Sequence, residues 1–558
     1  MNKENISFYD QTTIYFQNNS WILLLIILII AVSLRLPNLN ESLWLDELWS
    51  TNVKLGNIIL LGRQVLYDSH PPFYYLFMFS WIRLFGDSEL SIRIPPLIFG
   101  VLSIFLTYKL ALRFVGKKGA FLTAFLMSLT PVHIWYSQEA RHYSAILFFL
   151  LLSIFSYYKL RESRSNSTWY FVYFGSLFSA AFSHFYVSVY LVIISIMCLS
   201  KINKTKRNVL MLNILIIVCL VAYLEMKSIL GGSTTGLGHL RPFTPIELWM
   251  LFFNWFLLGN SLWNINPYGS NPSVIVHKPL MFFIQVVFFA FFINGVIQIL
   301  KESKERKDLE PLALILYVFS LPLFLLCLNF IGFKNTYIER SVFVVLPFFY
   351  ILIAKGITCF KYKPISIAST IFTITLSIVT LTSYFKKIDE WTVYKPNPNW
   401  RAAAHYFNNE LKNTTNPLIV FTTTPATELT YYDSRFEEFE VRGLDESDKI
   451  LYKAKLLAGE DNYFVKKLSF DLYDYLQALR NKIANAKLLI FYRNENNKEN
   501  IYETLFANNE KTFYLIHNRY WSGNFKALSE SVMKDSRFQL VGVKSFKGLE
   551  IFKFRVVS

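Results

Sequence analysis

Runs of about 20 apolar residues recur through the first 385 residues, and no other feature restricts the fold as strongly. A helix of about 20 residues spans the hydrocarbon core of a bilayer. No water is available there to satisfy backbone groups, so a spanning run must be helical or part of a closed barrel. The run length selects helices. Residues 21–36 make the first such run. Others cover roughly 92–113, 118–136, 142–158, 168–182, 184–200, 208–229, 279–300, 310–330, 338–356 and 365–385. Phe73 to Phe85 is apolar but short, about 13 residues, below the ~17 that crossing needs, and reads as re-entrant or interfacial. The expectation is a polytopic α-helical membrane protein with about eleven crossings. The N-terminal 20 residues are polar and lack a basic n-region, so the run at Trp21 reads as a first membrane helix and not a removed signal peptide.

Composition agrees. The chain is 53% hydrophobic with a mean hydropathy of +0.33, above the usual soluble-domain share. Its net charge of +17 might point to nucleic acid, but much of the basic charge lies in short loops between apolar runs. Lys109 to Lys118, Lys159 to Arg164, Lys201 to Arg207, Lys301 to Lys307 and Lys355 to Lys363 are five such clusters. The positive-inside rule places them in the cytoplasm. The N-terminus is then inside, and loops 37–91, 137–141, 230–278 and 331–337 are outside, as is everything after 386. No nucleic-acid partner is expected. The four cysteines, Cys198, Cys219, Cys327 and Cys359, lie in or beside apolar runs, which supports neither a disulfide framework nor a zinc ribbon.

From Lys386 the apolar runs shorten to strand length and charges become frequent. Trp400–Leu411 reads as a helix and Leu418–Phe421 as a buried strand. Helices are expected near Phe470–Ala486, Ile501–Asn508 and Leu528–Lys534, strands at Leu488–Tyr492 and Phe513–Ile516, and a closing hairpin about Lys547-Gly548. Alternation of this kind makes a soluble α/β domain over 386–558, following a membrane domain over 1–385 with external loops 37–70 and 230–278. The second of these loops opens on a glycine-rich run, Gly231 to His239, suited to a mobile segment over a site or to a plain connector.

The unusual polar groups all fall on the external side. Asp46 and Glu47 follow the first span among Trp44, Leu45, Leu48 and Trp49. They are either solvated loop charges or employed carboxylates. Gln138-Glu139-Ala140-Arg141-His142-Tyr143 interrupts an apolar stretch with three ionisable groups. Tyr337 and Arg340, three apart, share a helix face. Carboxylates facing Arg and His suit group transfer from an anionic lipid. A carboxylate removes the acceptor's proton, and arginines grip the phosphate that departs.

Several short motifs occur in a fixed order: Trp44-Leu45-Asp46-Glu47, His70-Pro71-Pro72-Phe73-Tyr74-Tyr75, Leu84-Phe85-Gly86 with Arg93-Ile94-Pro95, then Gln138 to Tyr143. Ser183-His184-Phe185-Tyr186, Tyr337-Ile338-Glu339-Arg340 and Asn399-Trp400-Arg401-Ala402 follow. Together they resemble the C-type (GT-C) polyprenyl-phosphate-sugar glycosyltransferases, in particular the protein O-mannosyltransferase-like superfamily (glycosyltransferase family 39-like) with its aminoarabinose transferases. The resemblance covers about 1–405. It implies a GT-C fold, a polyprenyl-phosphate-linked sugar as donor, and an acceptor hydroxyl on a lipid, protein or envelope glycan. It implies Asp46 as general base with Glu47 assisting, and Arg141 and Arg340 holding the donor phosphate, with His70 and Tyr337 beside them. Gln138, Tyr143 and His184 would line the substrate site. Where the aminoarabinose branch has a lysine, this chain has His70. It offers less positive charge at neutral pH, and an alternative role is to ligate a divalent metal ion with Glu47; no other cofactor is expected. The competing classes are a multi-pass transporter or flippase, which the lack of an internal repeat disfavours, and an O-antigen-type ligase, which would lack the Asp-Glu pair. The implied location is the cell membrane, with the C-terminal domain extracytoplasmic.

Overall fold

The computed structural model describes residues 20–51, 61–62, 65–66, 68, 70–162, 167–199, 202–230, 242–259, 278–307, 310–333, 336–386, 398–412, 418–422, 427–432, 436–441, 488–493, 512–518, 532–534 and 536–557. The glycine-rich run 231–239 and the helices expected at 470–486 and 501–508 lie outside them, as does most of the one expected at 528–534.

These residues form two compact units. The first holds the described residues up to 40 and from 49 to 387, and is helical. In chain order its helices are α1 (Ser20–Arg35), α2 (Leu45–Thr51, which begins in the other unit), α3 (Phe73–Phe85), α4 (Glu89–Leu129), α5 (Pro131–Ser137), α6 (Tyr143–Glu162) and α7 (Ser167–Ala181). They continue with α8 (Ser188–Leu199), α9 (Lys204–Ile229), α10 (Pro245–Met250), α11 (Lys278–Arg306), α12 (Leu312–Phe330), α13 (Leu346–Thr358) and α14 (Lys363–Lys386). Among the described residues, seven helical stretches are long and apolar enough to cross a membrane; Trp21–Arg35, Phe73–Phe85 and Phe185–Leu199 are apolar but shorter. Lipid-facing character persists in the exposed Ile214, Val218, Phe282, Phe324 and Ile371. The chain is a multi-pass membrane protein.

The runs expected at 92–113 and 118–136 are joined within α4. Gly116 sits there at φ 67°, a backbone conformation that side-chain-bearing residues rarely adopt, and it breaks the helix in two. Small residues also let α11 and α13 touch. A methyl on Gly356 would lie 1.8 Å from the Phe291 carbonyl oxygen, and one on Gly295 2.2 Å from that of Leu352. The stretch expected to be an open loop, 230–278, carries structure in its described part. After α10 comes a π-helical turn, Leu251–Phe256, with Phe252, Phe253, Trp255 and Phe256 all buried.

Arg35 ends the first span and is wholly buried. A cation there is tolerable only with its donors met. It donates to the carbonyls of Ala31 (2.9 Å) and Ser128 (3.1 Å) and to Ser137 Oγ (3.2 Å), and meets His133 Nδ1 at 2.6 Å. His133 contacts Ser103 Oγ at 2.9 Å through its other nitrogen. One guanidinium thereby fastens α1 to α4 and α5, and sets the turn that follows Ser137.

The second unit comprises 41–48 and the described residues from 398 onward. Its elements are α15 (Trp400–Leu411), β1 (Leu418–Thr422), α16 (Thr427–Tyr432), β2 (Phe436–Val441), β3 (Leu488–Arg493), β4 (Thr512–Asn518), β5 (Phe538–Phe546) and β6 (Leu549–Val556). The strands form one sheet in the order β2-β3-β1-β4-β6-β5. Four strands are parallel and the β5–β6 hairpin closes the edge antiparallel. Its turn uses Gly548 at φ 72°. β2 was not expected: Phe-Glu-Glu-Phe-Glu-Val is acidic and short, and it makes an edge strand, where charge is common. Trp400, Ala403, Ala404 and Phe407 of α15 pack on Val420, Tyr514, Ile516, Leu549 and Ile551 of the sheet.

Residues 41–48 are built into this unit. Tyr432 OH accepts from Leu43 N–H at 2.7 Å and from Ser42 Oγ at 3.0 Å, Ser42 Oγ accepts from Arg401 N–H at 3.2 Å, and Lys547 pairs with Glu41 at 3.0 Å.

Candidate active site

Asp46 and Glu47 occupy the first turn of α2, where the helix dipole favours negative charge. Glu47 is buried, 1% exposed, and accepts from Trp44 N–H at 3.4 Å; Asp46 is half-buried. Both belong to the second unit.

The first unit gathers another set. The turn after α5 is pinned by Gln138, whose amide donates to the carbonyls of Arg35 (3.1 Å) and Pro37 (2.5 Å) and accepts from Tyr384 OH (3.2 Å). Glu139 accepts from Trp135 Nε1 at 3.1 Å. Arg141 N–H donates to the Glu139 carbonyl at 2.7 Å, a tight turn that presents Arg141 and His142 together. Both are buried, and Arg141 Nη1 donates to Ser50 Oγ at 3.2 Å.

His70 arrives from the turn ahead of α3. Asp68 Oδ1 accepts from both the backbone N–H and the Nδ1 of His70, each at 2.8 Å, and Lys227 Nζ of α9 donates to the Asp68 carbonyl. Phe73 N–H donates to the Phe182 carbonyl at 2.9 Å, which draws the start of α3 against the end of α7. There His184 caps a short 3₁₀ turn, its Nδ1 accepting from Tyr186 N–H at 3.2 Å. Ring centroids of His70 and His142 lie 4.4 Å apart, and His184 is 5.5 Å from the first and 5.6 Å from the second.

Arg340 opens the 3₁₀ turn before α13 and lines a pocket with Tyr143, His184, Tyr186 and Phe343. Tyr143 is held by Tyr136 at 4.8 Å. Tyr337 is buried against Phe243, centroids 4.5 Å apart, and Tyr186 OH donates to the neighbouring Thr336 carbonyl.

The charges are mutually dependent. Burial alone would raise the Asp68 carboxyl, but His70 and Arg141 outweigh it and bring it to about 2. Burial lowers the His70 pKa, and Arg141 and Arg340 add to that against the pull of Asp68. His184 is driven down to about 3 by burial, His70 and the two arginines, and His142 falls well below the ordinary value for the same reasons. Three neutral imidazoles therefore sit in the field of two guanidiniums. Arg141 and Arg340 are the cations of this region, and burial keeps His70 from adding a third.

The structure thus brings His70, Arg141, Tyr143, His184 and Arg340 into one region of the first unit. It uses the Gln138 amide in the framework. Tyr337 and Arg340 do not share a helix face as expected: the 3₁₀ turn starts at Glu339, after the extended Ile338, and Tyr337 packs against Phe243. Asp68, His142 and Lys227 were not singled out as site residues. The Asp-x-His spacing, in which a short carboxylate can reach the backbone and side chain two residues on, was the available signal for Asp68. Lys227 carried none, because it closes an apolar helix like any flanking lysine.

The fold is shared with the apo structure of ArnT from Cupriavidus metallidurans, with a TM-score of 0.51 and 9% identity over 96% of this chain and 98% of that one. The same protein bound to undecaprenyl phosphate gives a TM-score of 0.48 at 12% identity, over 96% and 97%. The Archaeoglobus fulgidus oligosaccharyltransferase in its apo form gives 0.46 at 11%, over 92% and 72%. The family model for dolichyl-phosphate-mannose-protein mannosyltransferase matches residues 69–224, which include Asp68's neighbour Ser69, His70, Arg141 and His184. No curated protein matches by sequence. The family model covers 156 of the 558 residues, and at 9% identity the likeness to ArnT is one of fold.

Proposed function

We propose that this protein is a membrane glycosyltransferase that moves a monosaccharide from a polyprenyl-phosphate donor to an acceptor hydroxyl on the extracytoplasmic side of the cell membrane. The observation that carries this reading is the pair of arginines about the histidine cluster: Arg340 lines a pocket with His184, and Arg141 directly precedes His142 in the turn that packs on His70 and His184. Two guanidiniums at the ends of membrane helices match what a lipid phosphate presents, one diffuse anion at the end of an apolar chain. The description of the matched family, dolichyl-phosphate-mannose-protein mannosyltransferase, supports a lipid-phosphate donor. Asp46 is the general base that takes the acceptor's proton, and Glu47 helps to place the acceptor. As the sugar–phosphate bond breaks, Arg141 and Arg340 stabilise the charge that grows on the phosphate. Tyr337 and His70 border the donor, and Gln138, Tyr143 and His184 shape the substrate site. Residues 386–558 form the extracytoplasmic domain, and residues 1–385 the transferase domain.

Native mass spectrometry of the detergent-purified protein with its co-purified lipids tests this. Wild type is expected to retain a polyprenyl phosphate or its glycosylated form. Arg141→Ala and Arg340→Ala are each expected to lose it, through a weakening of about 2–5 kcal/mol. Bulk phospholipid alone, unchanged by either substitution, would overturn the donor assignment and favour a transporter.

A further inference from the structure

His70, His142 and His184 come from three separate parts of the chain, and their ligand nitrogens all lie within 4.8 Å of one another. A tetrahedral zinc site sets its nitrogens roughly 3.3 Å apart, from metal–nitrogen bonds of about 2.0–2.1 Å. Modest side-chain rotation closes that gap. We propose that these three imidazoles bind a divalent transition-metal ion of the zinc class. This inference does not depend on the donor or acceptor proposed above.

Three observations support it. His142 is 1% exposed and its Nε2 has no hydrogen-bond partner among the described residues. A buried nitrogen lone pair of that kind is costly in a packed protein and is what a metal satisfies. His70 has its Nδ1 on the Asp68 carboxylate at 2.8 Å, which directs the Nε2 lone pair outward. A carboxylate behind a histidine is the usual support of a metal ligand, because it fixes the tautomer and strengthens the donor. Finally, the three rings are gathered closely, with centroids 4.4, 5.5 and 5.6 Å apart. His184 has a competing task, since its Nδ1 caps Tyr186 N–H. It gives up that cap when it ligates and is the last ligand to join. Three nitrogen ligands leave a fourth position open, and Arg340 lines the pocket beside it.

The test uses the full chain in detergent, stripped with chelator, desalted and reloaded with Zn²⁺ or with Co²⁺ as a spectroscopic probe. Reloaded wild type is expected to hold about one zinc per chain and to show the intense visible bands of four-coordinate cobalt. His70→Asn and His142→Asn should fall to background, while His405→Ala, on the exposed face of α15, retains the metal. If the buried substitutions do not fold, wild type alone decides the matter. Zn²⁺ should then protect His70, His142 and His184 from diethyl pyrocarbonate, read by peptide mass spectrometry. Zinc content equal in wild type and a folded His142→Asn, or equal labelling of the three histidines with and without Zn²⁺, would overturn the site.

Discussion

Gly356→Ala tests the packing of the membrane unit with a single methyl. The added carbon would stand 1.8 Å from the Phe291 carbonyl oxygen, 2.8 Å from its carbon and 3.0 Å from Gly295 N. All three are backbone atoms of α11, so no side chain can swing aside. Carbon–oxygen contacts under 3.0 Å are essentially never seen, and α11 and α13 must part by about 1.2 Å, the difference between 1.8 and 3.0 Å. The same shift stretches the 2.6 Å bond from Asn294 Nδ2 to the Gly356 carbonyl beyond hydrogen-bond range. Overpacking costs about 1–3 kcal/mol and the lost bond about 1 kcal/mol. Helix propensity returns about 1 kcal/mol, which leaves a net loss of about 1–3 kcal/mol. Thermal unfolding in detergent should show a midpoint lowered by about 1–4 °C. Gly175→Ala in α7 is the control: a methyl there meets no atom within 4 Å, so propensity alone acts and the midpoint should hold or rise. Gly295→Ala, facing the Leu352 carbonyl at 2.2 Å, should add less than its own cost once Gly356→Ala has parted the helices. A Gly356→Ala protein that melts at or above wild type would refute the reasoning.

Asp46→Asn should abolish sugar transfer while leaving lipid-phosphate retention intact, because it removes the base and keeps the shape; full turnover would remove Asp46 from that role. Tyr432→Phe takes the acceptor from the buried Leu43 N–H, a local cost of about 1–3 kcal/mol. Hydrogen exchange in peptides covering Leu43 should quicken, and unchanged exchange would show that Tyr432 does not anchor the segment. Burial would raise the pKa of Glu410, but bonds from Lys553 (2.5 Å) and Tyr514 (2.6 Å) lower it below its ordinary 4.5. A depressed carboxyl stabilises the fold above its unfolded pKa and loses that contribution as pH falls through the folded one. The melting-point gap between wild type and Glu410→Gln should therefore be widest near neutrality and close below about pH 4.5. A gap of constant size across that range would assign it to packing.

Most of the membrane unit was legible because bilayer thickness translates directly into run length, and the apolar runs became helices. The break at Gly116 and the small-residue contact of Gly295 with Gly356 were less visible. Nothing local marks which glycine bends a helix and which meets another helix. In the tail, α15, β1, β3, β4 and the β5–β6 hairpin were readable from period and turn chemistry. β2 was not, since its acidic residues mask the alternation. Of the residues named from motif order, His70, Arg141, His184 and Arg340 come into one region. That His142 would join two distant histidines, and that Arg35 would be a buried fastener of α1 to α4 and α5, depended on tertiary approach, which spacing along one chain does not encode.

The attachment of residues 41–48 bears on how such proteins can be cut and recombined. The acidic pair lies near the start of the chain, yet the stretch before it is fastened by Tyr432, Arg401 and Lys547. A protein shortened after Lys386 would strand that stretch, and a graft of a foreign tail would have to recreate a tyrosine hydroxyl and a lysine for Leu43 and Glu41. Positions some 390 and 506 residues apart are in that sense one inherited part, and exchange between relatives is expected to move them together or not at all.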